Sequence, residues 1–307
     1  MKRLIILFSV ILFAAGLLSC AKPAALPPVD YGIVSNLYEV ETGSSVWKVS
    51  KDGNTIFLGG SIHILRESDF PLPVEFDLAF SQSDILVLEA DVEQMEDENI
   101  LMYLLSQMFL PEDRPLQSIL NPDVYAILSD VCNEYGFSIF DVEYFKPSMI
   151  MNMLIILQMH ELGFVQEGID EYYLQKARNE NKPVSYLESL ESQIDMLVSM
   201  GEGYENEYVL YSLLDLQNTE NEIDELLYDW KHGVSAYTNP MLIEMKEHWP
   251  LMYKALITNR HDAWMPQIID FVASGKKYFV IVGLAHMYGP DGLLLQLSNL
   301  GYTIEKF

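Results

Sequence analysis

Short apolar runs alternate along this chain with longer stretches of helical period. Val46-Trp47-Lys48-Val49-Ser50 and Thr55-Ile56-Phe57-Leu58 flank Lys51-Asp52-Gly53-Asn54, and an Asp-Gly pair between two such runs predicts a β-hairpin. Beyond the proline-punctuated residues 69–73, residues 74–82 have the period of a short amphipathic helix, and Asp84-Ile85-Leu86-Val87-Leu88-Glu89 reads as a buried strand. From residue 99 to about 163 the pattern is helical, interrupted at Pro111, Pro115, Pro122 and Pro147. Residues 149–159 are apolar on nearly every side, yet far short of the roughly 20 residues a membrane span needs, so they predict a buried helix whose methionines pack. A helix from Gly168-Ile169-Asp170 to about Asn181 follows, then a short strand over residues 183–187 ending at Glu188. Residues 191–270 are again mostly helical. A strand over residues 278–282, a helix over 292–299 and a last strand over 302–306 close the chain. Strands interleaved with helices predict an α/β fold, and we expect one domain with helical insertions.

Two of the predicted strands end alike. Phe57-Leu58-Gly59-Gly60-Ser61-Ile62-His63 and Val280-Ile281-Val282-Gly283-Leu284-Ala285-His286 are each an apolar run followed by Gly-x-x-His. In open α/β sheets ligands gather outside the carboxyl ends of the strands, so His63 and His286 can meet at one site although they lie far apart in sequence. A single histidine behind a strand is more often hydrogen-bonded structure than a ligand; matched repeats reverse those odds. Glu89 and Glu188 share the strand-end placement, where a carboxylate is costly to bury unless paired, protonated or metal-bound. His160, His232, His248 and His261 have no such context and read as surface or satisfied core residues. Gly289 and Gly292 read as shaping the turn into the last helix, and Gly60 and Gly283 as ending their strands.

The first residues change the picture of where the protein works. Lys2 and Arg3 precede an apolar run that ends in Leu17-Leu18-Ser19-Cys20, which resembles a bacterial lipoprotein signal. Residues 1–19 would then be a signal peptide. Residues 20–30 would be the lipidated Cys20 and a proline-rich tether, and residues 31–307 the folded domain. The expected place is outside the cytoplasm, lipid-anchored, with Ala21 favouring the outer membrane or cell surface over the inner membrane. Of the two cysteines this leaves Cys132, in an apolar-periodic stretch, which reads as a buried small hydrophobe. The charge is strongly acidic, 45 Asp and Glu against 18 Lys and Arg, or −27 in all. That disfavours nucleic acid and other polyanions as partners and favours cationic ligands or metal ions. Nothing in the sequence fixes the oligomeric state.

Two neutral imidazoles and a carboxylate, His63, His286 and Glu89, form a ligand set that suits Mn²⁺, Co²⁺, Zn²⁺ or Fe²⁺. Such an ion lowers the pKa of its water and polarises a carbonyl, a second carboxylate can take the water's proton, and a cation can stabilise the oxyanion. Glu188 and Arg260 are the candidates for those last two roles. Alternatively Glu89 acts as general base with no metal at all.

Over nearly the whole length behind residue 46 the chain resembles the TraB/GumN family, with its PrgY and Tiki-like branches. The resemblance rests on Gly60-Ser61-Ile62-His63, Leu88-Glu89, Gly168-Ile169-Asp170, Leu187-Glu188, Arg260 with Trp264, and Val282-Gly283-Leu284-Ala285-His286-Met287-Tyr288-Gly289-Pro290-Asp291-Gly292. It implies a central mixed sheet with helical insertions, related to the erythromycin-esterase and ChaN-like group, and a pseudo-symmetric pair of Gly-x-x-His motifs. It also implies a metal-dependent peptidase or amidase acting on a peptide or protein, since the Tiki branch is described as metalloproteases using manganese or cobalt. The alternative is a peptide-sequestering lipoprotein, because the TraB and PrgY branch is associated with inhibiting peptide pheromones. In this reading Asp170 caps its helix or supports the site. Ser61 stands where the family usually has Thr and keeps the hydroxyl, while Arg260-His261 stands where it often has Arg-Asn.

Overall fold

The structure, a computed structural model, describes residues 43–307. The expected signal peptide, Cys20 and the tether lie outside the described residues. In chain order the main elements are β1 (Val46–Lys51), β2 (Asn54–Ser61), β3 (Ile64–Leu65), α1 (Val74–Gln82), β4 (Ile85–Leu88), α2 (Glu98–Gln107), α3 (Pro122–Glu134), α4 (Pro147–Glu161), β5 (Gln166–Glu167), α5 (Ile169–Glu180) and β6 (Val184–Tyr186). They continue with α6 (Leu190–Val198), α7 (Glu205–His232), α8 (Thr238–His248), α9 (Asn259–Ala273), β7 (Tyr278–Gly283), α10 (Leu293–Asn299) and β8 (Thr303–Lys306). The expected α/β class is therefore what forms.

Six strands make one mixed sheet in the order β6-β4-β7-β2-β1-β8. β1 pairs antiparallel with β2 and with β8, whereas β2, β7, β4 and β6 run parallel. The hairpin turns at Asp52 and Gly53, both at positive φ, the geometry that a two-residue Asp-Gly turn requires. β7 is the centre of the sheet, with Phe279, Val280, Ile281 and Val282 fully buried, as expected of a parallel strand covered on both faces. Gly59 lets the layers close up: a Cβ there would lie 2.8 Å from the Phe279 ring and 3.2 Å from that of Phe76. Phe76, Phe80, Tyr173, Trp230 and Phe279 pack together on that face, and α9 packs against β1 and β2.

The helical insertions carry their own small core, in which Ala90, Met95 and Ile100 meet Met149 and the buried side of α6. α4 is buried nearly all round, as its almost wholly apolar run predicts. Cys132 is fully buried, and that burial pushes its thiol up to about 11, so it is an inert core residue. Among the described residues no helix is long and apolar enough to cross a membrane. Two features have no counterpart in the sequence pattern. One is a two-stranded sheet of β3 and β5, each strand two residues long. The other is a π-helical segment, Lys254–Thr258, that leads directly into α9.

Candidate active site

The four parallel strands each deliver one residue to the same edge of the sheet. Following the order β6-β4-β7-β2, these are Glu188 two residues after β6, Glu89 next after β4, His286 on the turn behind β7, and His63 two residues after β2. Glu89 and Glu188 are held side by side because the pairing runs past the strand ends: the Glu188 N–H donates to the Glu89 carbonyl at 2.9 Å. The glycine of the second motif is where the groups converge. A Cβ on Gly283 would stand 3.5 Å from each of Glu89 Oε1, His286 Cδ2 and His63 Nε2. Gly283 also donates its N–H to Glu89 Oε1 at 2.7 Å. Gly60, in the first motif, admits Leu284, whose Cδ1 would be 2.7 Å from a Cβ there. Gly289 has φ +83°, and a Cβ on Gly292 would fall 2.3 Å from the Tyr288 carbonyl.

The two histidines have unlike surroundings. Asp170, at the start of α5, accepts from Ser61 Oγ at 2.8 Å and lies 3.0 Å from His63 Nδ1. Gly168 makes this possible, since a Cβ there would overlap the His63 backbone at 2.2 Å, while the Ile169 N–H donates to the Ile62 carbonyl. Burial alone would lower the His63 pKa, but the Asp170 carboxylate, with help from Glu89, outweighs it and the net shift is upward. Asp170 shifts downward: burial opposes its charge, and His63 and Ser61 overcome that.

Among the described residues His286 has no carboxylate within hydrogen-bond distance. Its Nδ1 lies 2.9 Å from His261 Nε2, its Nε2 is 2.9 Å from Arg260 Nη1, and Glu89 Oε1 is 3.8 Å away. Burial, then the Arg260 charge, holds its pKa well below the ordinary histidine value. His261 is pushed down to about 4, again by burial first. Of the two alternatives expected for His261, surface or satisfied core, the core one forms: it is 1% exposed with both ring nitrogens partnered, and one of those partners is a candidate site histidine. No local signal marks it, because its neighbour His286 arrives from β7.

Arg260 is the hub. It donates to Glu188 through Nε at 3.2 Å and Nη2 at 2.7 Å, to Glu89 through Nη2, and lies against His286. Trp264 Nε1 donates to Glu188 Oε2 at 3.1 Å, and the Trp264 ring lies 4.4 Å under the guanidinium, a cation–π contact. Burial opposes the Arg260 charge, but Glu89 and Glu188 more than compensate and keep it fully protonated. The π-turn before α9 fits the habit of such turns to occur at functional positions.

A cavity of about 10 Å³ opens between His63, Glu89, Asp170 and Gln193, room for about one water. Gln193, 1% exposed, donates from Nε2 to Glu89 Oε2 at 3.3 Å, and its Oε1 finds no partner among the described residues. Sequence reasoning missed Gln193 altogether. No group of three or more His, Cys, Asp or Glu side chains is spaced to hold a metal ion among the described residues.

A parallel-centred α/β sheet with a buried histidine, carboxylate and arginine cluster at its strand ends is the class of protein that this fold and site define. The model of the TraB/PrgY/gumN family matches residues 45–306, and the chain belongs to that family. "Uncharacterized protein YbaP" of Escherichia coli (strain K12) is 26% identical over 250 residues, covering 80% of this chain and 89% of that protein. "Uncharacterized protein YbaP" of Shigella flexneri is 26% identical over 238 residues, covering 76% and 84%. No solved structure matches the chain significantly.

Proposed function

We propose that the protein is a hydrolase of the peptidase or amidase type, acting on a peptide or protein outside the cytoplasm from a lipid anchor on Cys20. The observation that carries this reading is the water-sized cavity walled by His63, Glu89 and Gln193, whose Oε1 has no partner among the described residues. A water there can donate to Gln193 and be deprotonated by His63, whose Nδ1 side is backed by Asp170. The water oxygen adds to the scissile carbonyl carbon, the remaining Nη1 N–H and the charge of Arg260 stabilise the oxyanion, and His63 returns the proton to the departing amine. Glu188 and Trp264 hold Arg260 for that task. The kinship of fold with the erythromycin-esterase, ChaN and Tiki-like groups belongs to the same reading.

The donor set fits a divalent ion in kind. His63 Nε2 and the Glu89 carboxylate face a common point, and His63 carries the carboxylate behind Nδ1 that commonly orients a ligating imidazole. Bound there, Mn²⁺ or Co²⁺, or else Zn²⁺ or Fe²⁺, would acidify a water and polarise a carbonyl. His286 could join only if Arg260 withdrew from its Nε2. That contact favours a second reading, hydrolysis without metal, in which the guanidinium is the site's resident cation.

The test is Mn²⁺ and Co²⁺ calorimetry on the protein, together with a peptide-library screen, against a His63→Ala/His286→Ala double variant. Stoichiometric binding and cleavage that both vanish in the variant support the metallohydrolase. Cleavage without metal supports the second reading. Peptide binding retained in the variant, with no cleavage by either protein, would replace both with sequestration. Mass spectrometry of the mature amino terminus tests the lipid on Cys20.

A further inference from the structure

We infer that His261 is a positioning residue that fixes His286 as an Nδ1–H imidazole, so that the Nε2 lone pair of His286 always faces the site. The argument runs along one line of contacts. The Asp291 carbonyl, 2.8 Å from His261 Nδ1, can only accept, so His261 carries its proton on Nδ1 and presents a lone pair at Nε2. His286 Nδ1, 2.9 Å from that lone pair, must donate. His286 Nε2 is then an acceptor, and Arg260 Nη1, at 2.9 Å, donates to it.

The reversed set of tautomers meets two conflicts. It would place the His261 Nδ1 lone pair against the Asp291 oxygen, and it would set a His286 Nε2–H against an N–H of a guanidinium that has no acceptor. Its single gain is a bond from Gln296 Nε2 to His261 Nδ1 at 3.2 Å. Gln296 already has a better acceptor in the Asp291 carbonyl at 2.6 Å. The forward set thus satisfies every strong contact.

The inference deepens the hydrolase reading, on which its functional meaning rests. The two Gly-x-x-His motifs match in sequence, but their histidines differ in what they can do. His63 has a carboxylate at its back and exchanges protons. His286 has a neutral imidazole at its back and can only accept at Nε2, from Arg260, a substrate or an ion.

Long-range proton–nitrogen NMR of the ¹⁵N-histidine-labelled full chain tests it, with His286→Gln to assign the signal. We expect a single Nδ1–H tautomer at His286, a mixed pattern in His261→Phe, and return of the single tautomer in His261→Gln, whose Oε1 can accept where His261 Nε2 did. An Nε2–H tautomer in the unmodified protein overturns the inference, and so does a His261→Phe protein that keeps pure Nδ1–H, since Arg260 alone would then set the ring. If His261→Phe fails to fold, His261→Ala takes its place with the same two outcomes, and an Nε2–H tautomer in the unmodified protein still overturns the inference. The outcome separates from that of the hydrolase reading: the expected tautomer in a protein that cleaves nothing leaves this inference standing and removes the other.

Discussion

Replacing Arg260 by methionine would remove the one cation that the site's carboxylates share, while keeping an apolar stem of similar length. Glu89 and Glu188, with side chains 7% and 12% exposed, would be left adjacent in a protein interior. Breaking a buried ion pair from one side costs about 3–5 kcal/mol. Here one guanidinium serves two carboxylates and also touches His286, so the expected loss lies at the upper end, about 5 kcal/mol. That is comparable with the whole stability of a marginal domain, about 5–15 kcal/mol. Urea titrations followed by tryptophan fluorescence measure the loss. Arg260→Lys should fall between, since an ammonium keeps the charge but not the fork. A methionine variant within about 1 kcal/mol of the parent would refute the view that Arg260 is the hub.

Gly168→Ala should destabilise by about 1–3 kcal/mol, read as a lowered thermal midpoint, because the new methyl overlaps the His63 backbone. In Asp170→Asn the His63 pKa should drop below its ordinary 6.5, since burial then acts with less opposition; histidine NMR titration reads it. The stability from this pair is bounded on both sides. The His63 part is complete below 6.5 and lost as pH rises through its raised folded value, and the Asp170 part is present above 3.8 and lost as pH falls through its lowered one. Lys306, whose Nζ lies 2.6 Å from the Gly233 carbonyl and over the Trp47 ring, is pushed by burial from 10.5 down to about 7. Between those values the unfolded chain holds more protons than the folded one, so stability should climb with pH there. Lys306→Met should flatten that slope in pH-dependent denaturation.

The strand-end residues were legible because an apolar run stopping at glycine leaves a local signature. His63, Glu89, Glu188 and His286 could each be read from the run before them, and the structure brings them to one edge. Their order across the sheet was not legible, because it depends on β7 entering between β4 and β2. Asp170 could be placed at a helix start but not against His63, since that contact follows from a close approach at Gly168 to a backbone more than a hundred residues earlier. His261 and Gln193 carried no signal: one owes its place to being beside Arg260 on α9, the other to its side of α6, and both partners come from distant strands. The β3–β5 pair is too short for any periodicity to reveal.

The place of β7 also sets when in the life of the chain the site can exist. The strand between β4 and β2 is supplied by residues 278–283, long after both of its neighbours in sequence, and His286 follows it. A nascent or truncated chain that stops before Tyr278 has a gap where the sheet's centre belongs, and its Glu89 lacks the Gly283 N–H and the second motif's histidine. The earlier segments must wait for a partner that is made long after them, a closure of long sequence separation that is slow to form. Synthesis itself is thus a timer: the strand-end cluster is completed only once residue 286 has been made.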